Sequence, residues 1–408
     1  MTRPGWVALV AALAALTLGC RGDPPAEPGA AAPAAAPRPA GLSLPRLDDP
    51  HHELRVLGEE LALWRGRLAL DPANARVLVE RLLRRASVEG RLEDYVEADA
   101  RSAAWLAAAP TDRRAMLTRA TVALRLHRLA EARAVLAQAR AAGTSADEIA
   151  PLEAAIAQAD GAADHALPFF EEAARLAPSA GNLSAFAAAL ADDGQPAAAL
   201  PLLARAWAQL TGPAPLPAAA LLFLWGRVHE QLGQLREATL RYELALRAVP
   251  QHLEARAHLA GLLAVTGERE RAIELLDAPR DAGAHPELTG QLAAWLAGRD
   301  PTRAASLEAE AARAWTRWVE ALPEAFADHA ARFLLTARTT RDPARALALA
   351  KLNRAARATV EADLLLLEAA TAADDVETLC ATRAALNRQR HLPAAAQGAV
   401  ERAASRCP

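Results

Sequence analysis

Histidine and acidic side chains occur close together at two places in the sequence, where imidazole and carboxylate groups could bind a metal ion. Residues 51–53 read His-His-Glu, and His252 and His258 flank Glu254. A metal site needs ligands that converge on one point. His252 and His258 are six residues apart, which does not place them on one face of a helix, and residues 51–53 are interpreted as a solvated loop at a domain border. The sequence therefore predicts no metal site.

Short motifs that mark common enzyme classes are absent from the 408 residues. The sequence contains no GxSxG nucleophile motif, no Walker-type phosphate loop, no HExxH zinc motif and no GxGxxG dinucleotide motif. No CxxCH haem-attachment motif occurs either. We therefore predict no catalytic residues, no cofactor and no small-molecule substrate, and we expect that the chain is not an enzyme.

Three cysteines offer thiol chemistry. Cys20 follows an apolar N-terminal run, whereas Cys380 and Cys407 lie on two neighbouring predicted helices near the C-terminus. In an exported, oxidising setting, an even number of remaining cysteines is typical of a disulfide. If the two helices pack antiparallel, the thiols could approach, although their heights along the helices differ by several ångströms. A disulfide between Cys380 and Cys407 and two free thiols both remain open.

The first 20 residues have the pattern of a targeting signal. Arg3 is followed by an apolar run over residues 6–18 and then by Gly-Cys. This pattern predicts a signal peptide over residues 1–19, because the run is shorter than the roughly 20 residues that span a bilayer. The end of the run, LTLGC, resembles the bacterial lipobox, with Thr17 where leucine is usual. The resemblance implies that Cys20 becomes a lipidated N-terminus; an ordinary secreted protein or an uncleaved anchor is the alternative.

Residues 20–45 form a segment rich in proline and alanine. It has little charge and almost no large apolar side chain, so it cannot bury a core and is predicted to be a disordered leash. We expect an exported protein that is anchored to the cell envelope through lipid. Arg21 occupies the position where, by the sorting pattern of such lipoproteins, aspartate favours the inner membrane. We therefore expect the periplasmic face of the outer membrane, if the organism has one.

A pattern of turn residues and small residues recurs in the sequence with a period near 34 residues, and the helices that it predicts must position the other side chains. Five turn positions follow one another at steps of 34, 33, 39 and 34 residues: His127, Gly161, Gly194, Gly233 and Gly267. Five residues after each turn comes a small residue: Ala132, Ala166, Ala199, Ala238 and Ala272. Four further on comes a larger one: Leu136, Phe170, Leu203, Tyr242 and Leu276. Small residues let two helices approach closely, and glycine fits the turn between them. Gly90 is a weaker candidate for an earlier turn.

This spacing, carried in full by Leu222 to Pro250, resembles the tetratricopeptide repeat, a helix–turn–helix unit of about 34 residues. The resemblance implies an all-α, right-handed solenoid in which helix pairs stack into a superhelix. We assign residues 46–286 to it. Residues 287–408 lose the signature and are interpreted as divergent repeats or a C-terminal helical cap. Helices are predicted there at 287–297, 302–321, 325–338, 343–358, 360–372, 375–389 and 393–406.

In tetratricopeptide proteins, partners mainly contact the first helix of each repeat, on the concave side. Transferred by position, the resemblance assigns a partner-binding groove to Arg114, Leu117, Thr121, Arg125, Phe223, Arg227, Glu230 and Gln231. An extended or helical protein segment would suit such a groove, although each residue could instead be merely solvated. A net charge of −3 and the lack of a basic stripe argue against a nucleic-acid partner.

Two classes of function remain. The resemblance favours a non-enzymatic, membrane-anchored scaffold that binds a protein or peptide partner, as repeat lipoproteins do in envelope assembly. The alternative is an envelope enzyme, such as a cell-wall-acting one, with an unrecognised helical catalytic domain in residues 287–408. The Glu-Ser pair of lytic transglycosylases is absent, because no Glu-Ser dipeptide occurs in the chain. A pocket with converging polar groups would favour the enzyme, and a long groove would favour the scaffold.

Overall fold

A computed structural model of the chain describes residues 51–68, 71–210, 214–278, 284–388, 392 and 394–407. The predicted signal peptide, Cys20 and the leash lie outside these residues. Every regular element within them is helical, with twenty α-helices, a short 3-10 turn at Pro72–Asn74 and no strand. None of the helices in these ranges has both the length and the apolar character that crossing a membrane requires.

The helices are numbered in chain order. The first ten are α1 His52–Leu68, α2 Ala75–Glu89, α3 Leu92–Ala108, α4 Arg113–Arg125, α5 Leu129–Ala141, α6 Ala146–Ala159, α7 Ala163–Leu176, α8 Ala180–Asp192, α9 Pro196–Ala208 and α10 Pro215–Gln231. The second ten are α11 Leu235–Ala248, α12 Leu253–Val265, α13 Arg269–Asp277, α14 Pro286–Leu296, α15 Pro301–Ala321, α16 Pro323–Thr336, α17 Pro343–Ala356, α18 Val360–Ala372, α19 Val376–Leu386 and α20 Ala394–Ala404.

Local signals in the sequence set where many of the helices begin. Asp112 before α4 and Ser179 before α8 accept hydrogen bonds from backbone N–H groups of the first turn, which would otherwise lack partners. Proline opens α14, α15, α16 and α17, because its fixed φ suits the first helical position. The seven helices predicted beyond residue 287 all form, with ends within three residues of those predicted.

The predicted turn positions all adopt the left-handed backbone conformation, with φ between 57° at His127 and 90° at Gly267. The weaker candidate, Gly90, does so at 66°. Asp374, which the repeat frame did not predict, has a φ of 59° in the turn between α18 and α19. The turn geometry of the repeat therefore recurs at positions where glycine does not.

Small residues lie at the contacts between paired helices, as the repeat frame predicts. All five alanines that follow the turns are fully enclosed: Ala132, Ala166, Ala199, Ala238 and Ala272. The larger residues behind them are also buried: Leu136, Phe170, Leu203, Tyr242 and Leu276. At Gly226 of α10, an added Cβ would overlap the Tyr242 ring of α11. Glycine is therefore needed there for close approach.

The helices form two layers. Consecutive helices pack in pairs, from α2 with α3 to α18 with α19, which gives nine pairs in the part of the chain that the structure describes. The first helices of successive pairs also contact one another, as in α2 with α4, α8 with α10 and α16 with α18. First helices therefore form an inner layer and second helices an outer one. The chain is an all-α solenoid of tetratricopeptide-type helix pairs.

The last helix closes the C-terminal end of the solenoid. α20 packs against α18 and α19, where the first helix of a further pair would lie. Cys380 of α19 and Cys407, which follows α20, are joined by a disulfide with their Cα atoms 5.4 Å apart. Of the two arrangements that the sequence left open, the structure has the disulfide.

The solenoid winds so that its second half contacts its first. Arg128 pairs with Glu324 at 3.5 Å, and the backbone N–H of Ala358 donates to the Asp160 carboxylate at 3.1 Å. An added Cβ on Gly161 would lie 2.5 Å from the Ala358 carbonyl oxygen. The partners in these two polar pairs are 196 and 198 residues apart in the chain. One superhelical turn, or wind, of the solenoid therefore takes roughly six repeats of about 34 residues. These five residues define the winding contact.

Candidate partner-binding interior

Four of the predicted groove residues lie on α4, a helix of the inner layer. Arg114 is exposed near the start of the helix, whereas Leu117, Thr121 and Arg125 are half-buried. The Thr121 hydroxyl donates to the Leu117 carbonyl at 2.8 Å, so its donor is used within the helix. The end of α4 therefore lies deeper in the molecule than its start.

Arg125, at that deeper end, has charged and polar neighbours from other helices. Burial lowers the pKa of its guanidinium to about 10, against the opposing influence of Tyr95 and Glu254. Tyr95 belongs to α3 and Glu254 to α12, and both are half-buried. Side chains of α3, α4 and α12 therefore approach one another, although α12 is far from the other two helices in the chain.

The other four predicted groove residues lie on α10. Phe223 and Arg227 are buried, with 7% and 6% of their surface exposed, and Glu230 and Gln231 are half-buried. Phe223, Arg227 and Glu230 are spaced by four and three residues, which places them on one face of the helix. That any of the eight residues on α4 and α10 contacts a partner stays a prediction.

Phe223 packs among three other rings. Its centroid lies 5.8 Å from that of Tyr242, 5.2 Å from that of His252 and 5.4 Å from that of His258. Rings at such distances attract one another beyond the effect of their burial. Phe223 thus joins α10 to α11 and α12 as part of the core, a role that the repeat frame did not indicate.

Glu230 is the centre of a small hydrogen-bond network. Its Oε2 accepts from the Tyr242 hydroxyl at 2.7 Å and lies 2.9 Å from Nδ1 of His258. Burial acts to raise the pKa of Glu230, but the bonds to His258 and Tyr242 outweigh it and hold the pKa below its ordinary value. Nothing in the sequence indicates this network, because its members belong to three different helices and share no motif.

Asp192, at the end of α8, faces side chains of three other helices. Its Oδ2 accepts a hydrogen bond from Nε2 of Gln158 on α6 at 2.7 Å. Arg227 of α10 and Glu361 of α18 influence it electrostatically, and desolvation by the surrounding helices raises its pKa. Asp192 is nevertheless exposed, which limits that rise. An exposed carboxylate that is bonded to α6 and influenced by charges on α10 and α18 indicates that these helices border a solvent-accessible interior.

His252 and His258 form hydrogen bonds with different partners. His252 accepts a hydrogen bond from the Ala255 backbone N–H at 3.3 Å and so caps α12, whereas His258 binds Glu230. No Ser, Thr or Cys is hydrogen-bonded to His258 in the part of the chain that the structure describes. In the same part, no three His, Cys, Asp or Glu side chains are grouped as metal ligands would be.

Buried acids in the C-terminal region hold the fold together. Glu308 of α15 accepts hydrogen bonds from three successive backbone N–H groups, at residues 338–340, at 3.0, 2.7 and 2.7 Å. Asp328 of α16 is fully enclosed and accepts from Arg357 at 2.7 Å. Both acids thus have structural contacts that account for their burial.

No protein-family model matches the chain, and no curated protein does either. Yeast Tom70 aligns with 87% of this chain and 93% of its own, with 12% identity and a TM-score of 0.35. A human IFIT1 dimer with m7Gppp-AAAA aligns over 79% of each chain, with 16% identity and a TM-score of 0.46. A tetratricopeptide repeat protein from Parabacteroides merdae aligns with 63% of this chain and 98% of its own, with 14% identity and a TM-score of 0.38. Likeness at this level carries no argument about function.

Proposed function

We propose that this protein is a non-enzymatic scaffold that holds a segment of another protein inside its solenoid. One observation carries the proposal: the exposed Asp192 accepts a hydrogen bond from Gln158 of α6 and is influenced electrostatically by charged side chains of α10 and α18. Unlike the buried Glu308 and Asp328, Asp192 is exposed, so its contacts are not needed to satisfy a buried acid. Polar groups that meet in a solvent-accessible interior are suited to binding. Together, Gln158, Asp192 and Arg227 offer both donors and acceptors to an extended or helical segment that enters the interior.

The proposal further places the scaffold at a membrane of the cell envelope. Its support is the sequence of residues 1–45, with a predicted signal peptide, a lipobox-like segment that ends at Cys20, and a Pro/Ala-rich leash. Several acyl chains would anchor the protein firmly, at about 0.8 kcal/mol per buried methylene. Such an anchor would keep the solenoid near envelope partners, consistent with a role in envelope assembly.

The partner-binding proposal is tested by reversing charge in the interior. We expect Asp192→Arg to remove a bound protein from the tagged full chain, purified in detergent from its native envelope and analysed by mass spectrometry. Glu171→Arg is the matched control, because Glu171 is an exposed acid on α7 of the outer layer. A set of co-purified proteins that is the same for wild type and both variants would overturn an interior binding site.

The anchor is tested separately. We expect Cys20→Ala to abolish labelling with radioactive palmitate and to move the protein out of the lipid-anchored membrane fraction. Cys407→Ser serves as the control, because Cys407 lies in the folded C-terminal region. This substitution should leave the palmitate label unchanged. Palmitate incorporation that persists without Cys20 would contradict the lipid anchor.

A further inference from the structure

Arg227 is a buried charge without a partner. Its side chain is 6% exposed and its Nε is enclosed without a hydrogen bond. Within the part of the chain that the structure describes, its other nitrogens also make no hydrogen bond or ion pair. A buried guanidinium in this state destabilises the fold. Departures of this kind are expected at functional sites, where the missing partner is a ligand.

Comparison with equally buried arginines sets Arg227 apart. Arg119 is 7% exposed and bonds Asp99 and Glu131, each at 2.6 Å. Arg256 is 8% exposed and donates to a backbone carbonyl at 2.9 Å. Arg357 is 9% exposed and bonds an aspartate at 2.7 Å. Among the buried arginines of the described residues, the fold therefore supplies partners to all except Arg227.

Two acids near Arg227 leave its N–H groups free. Asp192 and Glu230 both interact with it electrostatically, but neither forms an ion pair with it within the described residues. The Asp192 carboxylate accepts from Gln158 at 2.7 Å, and that of Glu230 accepts from Tyr242 at 2.7 Å. The acids thus offset part of the positive charge without occupying the guanidinium.

This balance selects a type of ligand. The planar fork of a guanidinium matches the two oxygens of a carboxylate or phosphate. Two nearby carboxylates would repel a dianion more strongly than a monoanion, so the site favours a carboxylate over phosphate. We propose that Arg227 binds a carboxylate group that enters the solenoid, either an acidic side chain of the partner or a small free carboxylate. The first source rests on the function proposed above.

The test uses the full chain in detergent, labelled with ¹⁵N-arginine. The Nε–Hε resonance of Arg227 is identified as the one missing from Arg227→Met. We expect sodium acetate to move this resonance in a saturable manner, whereas sodium chloride of equal ionic strength leaves it in place. Sodium phosphate at pH 8 should move it less than acetate does. An unmoved resonance, or an equal response to chloride or phosphate, would overturn the proposal.

Thermal unfolding supplies the second readout. Acetate should raise the Tm of wild type and of Arg241→Met, in which the arginine stacked on Trp225 is removed instead. The rise should be lost in Arg227→Met, whose Tm without acetate should equal or exceed that of wild type. A large loss of Tm, or a variant that does not fold, would mean that Arg227 has a structural partner and would refute the inference. Arg227→Lys, with the charge kept and the fork removed, should lose the rise as well.

Two peptides separate the sources of the carboxylate. If acetyl-Gly-Glu-Gly-amide moves the Arg227 resonance and acetyl-Gly-Gln-Gly-amide does not, the site accepts an acidic side chain. If only acetate moves it, the site accepts a small free carboxylate. Failure of every carboxylate would refute this inference alone, because loss of the co-purified partner in Asp192→Arg would still stand.

Discussion

Ala198 and Ala199 are adjacent in α9 but have opposite surroundings, since Ala198 is exposed and Ala199 is fully enclosed. Ala199→Arg forces a long charged side chain between paired helices, and we expect it to lower the free energy of unfolding by about 1–3 kcal/mol or more. Ala198→Arg reaches solvent and should change it by less than about 0.5 kcal/mol. Urea unfolding measures both. Equal midpoints would show that the small residue of the repeat does not face its paired helix.

Glu308 should make stability depend on pH. Burial acts to raise its pKa, but hydrogen bonds from Thr339 and from backbone N–H groups of residues 338–340 outweigh it and hold the pKa at about 2. The pKa of a glutamate in the unfolded chain is about 4.3. The contribution of Glu308 to the stability of the fold is therefore complete above that pH and is lost as the pH falls towards about 2. We expect Glu308→Gln to lower Tm at about pH 7 and to differ less from wild type at about pH 3.

The control for this comparison is Glu310→Gln, because Glu310 is exposed on the same helix. It should follow wild type at both pH values. If Glu308→Gln lowered the Tm relative to wild type as much at about pH 3 as at about pH 7, the hydrogen bonds from residues 338–340 to Glu308 would not depend on its charge.

At this scale, the sequence was informative where a residue's role depends on its near neighbours. Gly233 and Ala238 could be assigned to a turn and to a helix contact, because both roles recur at fixed spacing. The bonds of Glu230 to Tyr242 and His258 could not be predicted, because they depend on how three helices are rotated relative to one another. The missing partner of Arg227 is likewise visible only once its surroundings are known.

Helices were predictable in residues 287–408 even though the repeat signature is absent. Proline at the first position and an N-cap acid such as Asp300 or Asp342 are local signals that do not depend on the repeat. The predicted helices 360–372 and 375–389 leave a turn at Asp374, but its left-handed conformation was missed, because a left-handed residue is expected to be glycine. How these helices pair, in contrast, is decided by packing.

The disulfide between Cys380 and Cys407 should hold α20 on the solenoid. The bond closes a loop with a sequence separation of 27 residues, and removing such a restraint typically costs about 2–4 kcal/mol. We expect reduction with dithiothreitol to lower the Tm of wild type and to speed proteolysis within α20. The double variant Cys380→Ser/Cys407→Ser should have the lower Tm with or without reductant. A wild-type Tm that does not respond to reduction would contradict this role.

The winding of the whole molecule lies beyond what the sequence could predict. Its pitch is the sum of small rotations between successive pairs, so contacts such as Arg128 with Glu324 have no local signal. The same winding brings α18 close to α8, where Glu361 influences Asp192. The winding therefore brings together charged side chains that the spacing of the repeats alone does not place near one another.

Alanine substitutions at two glycines can distinguish the effect of breaking the winding contact from the effect of straining a turn. Gly161 and Gly233 have φ values of 80° and 70°, so alanine at either position should strain the turn by about 1 kcal/mol. Only at Gly161 would the new Cβ collide with another wind, 2.5 Å from the Ala358 carbonyl oxygen, whereas nothing lies within 4 Å at Gly233. Gly161→Ala should therefore separate the winds, and Gly233→Ala should not.

Hydrogen–deuterium exchange on the full chain in detergent measures this separation. The backbone N–H of Ala358 is protected by its bond to Asp160, so peptides covering residues 355–360 should exchange faster in Gly161→Ala than in wild type. In Gly233→Ala they should keep the wild-type rate. Equal exchange in the two variants would mean that the winds do not restrain each other, and the interior near Asp192 would then have to be held by the stacking of neighbouring pairs alone.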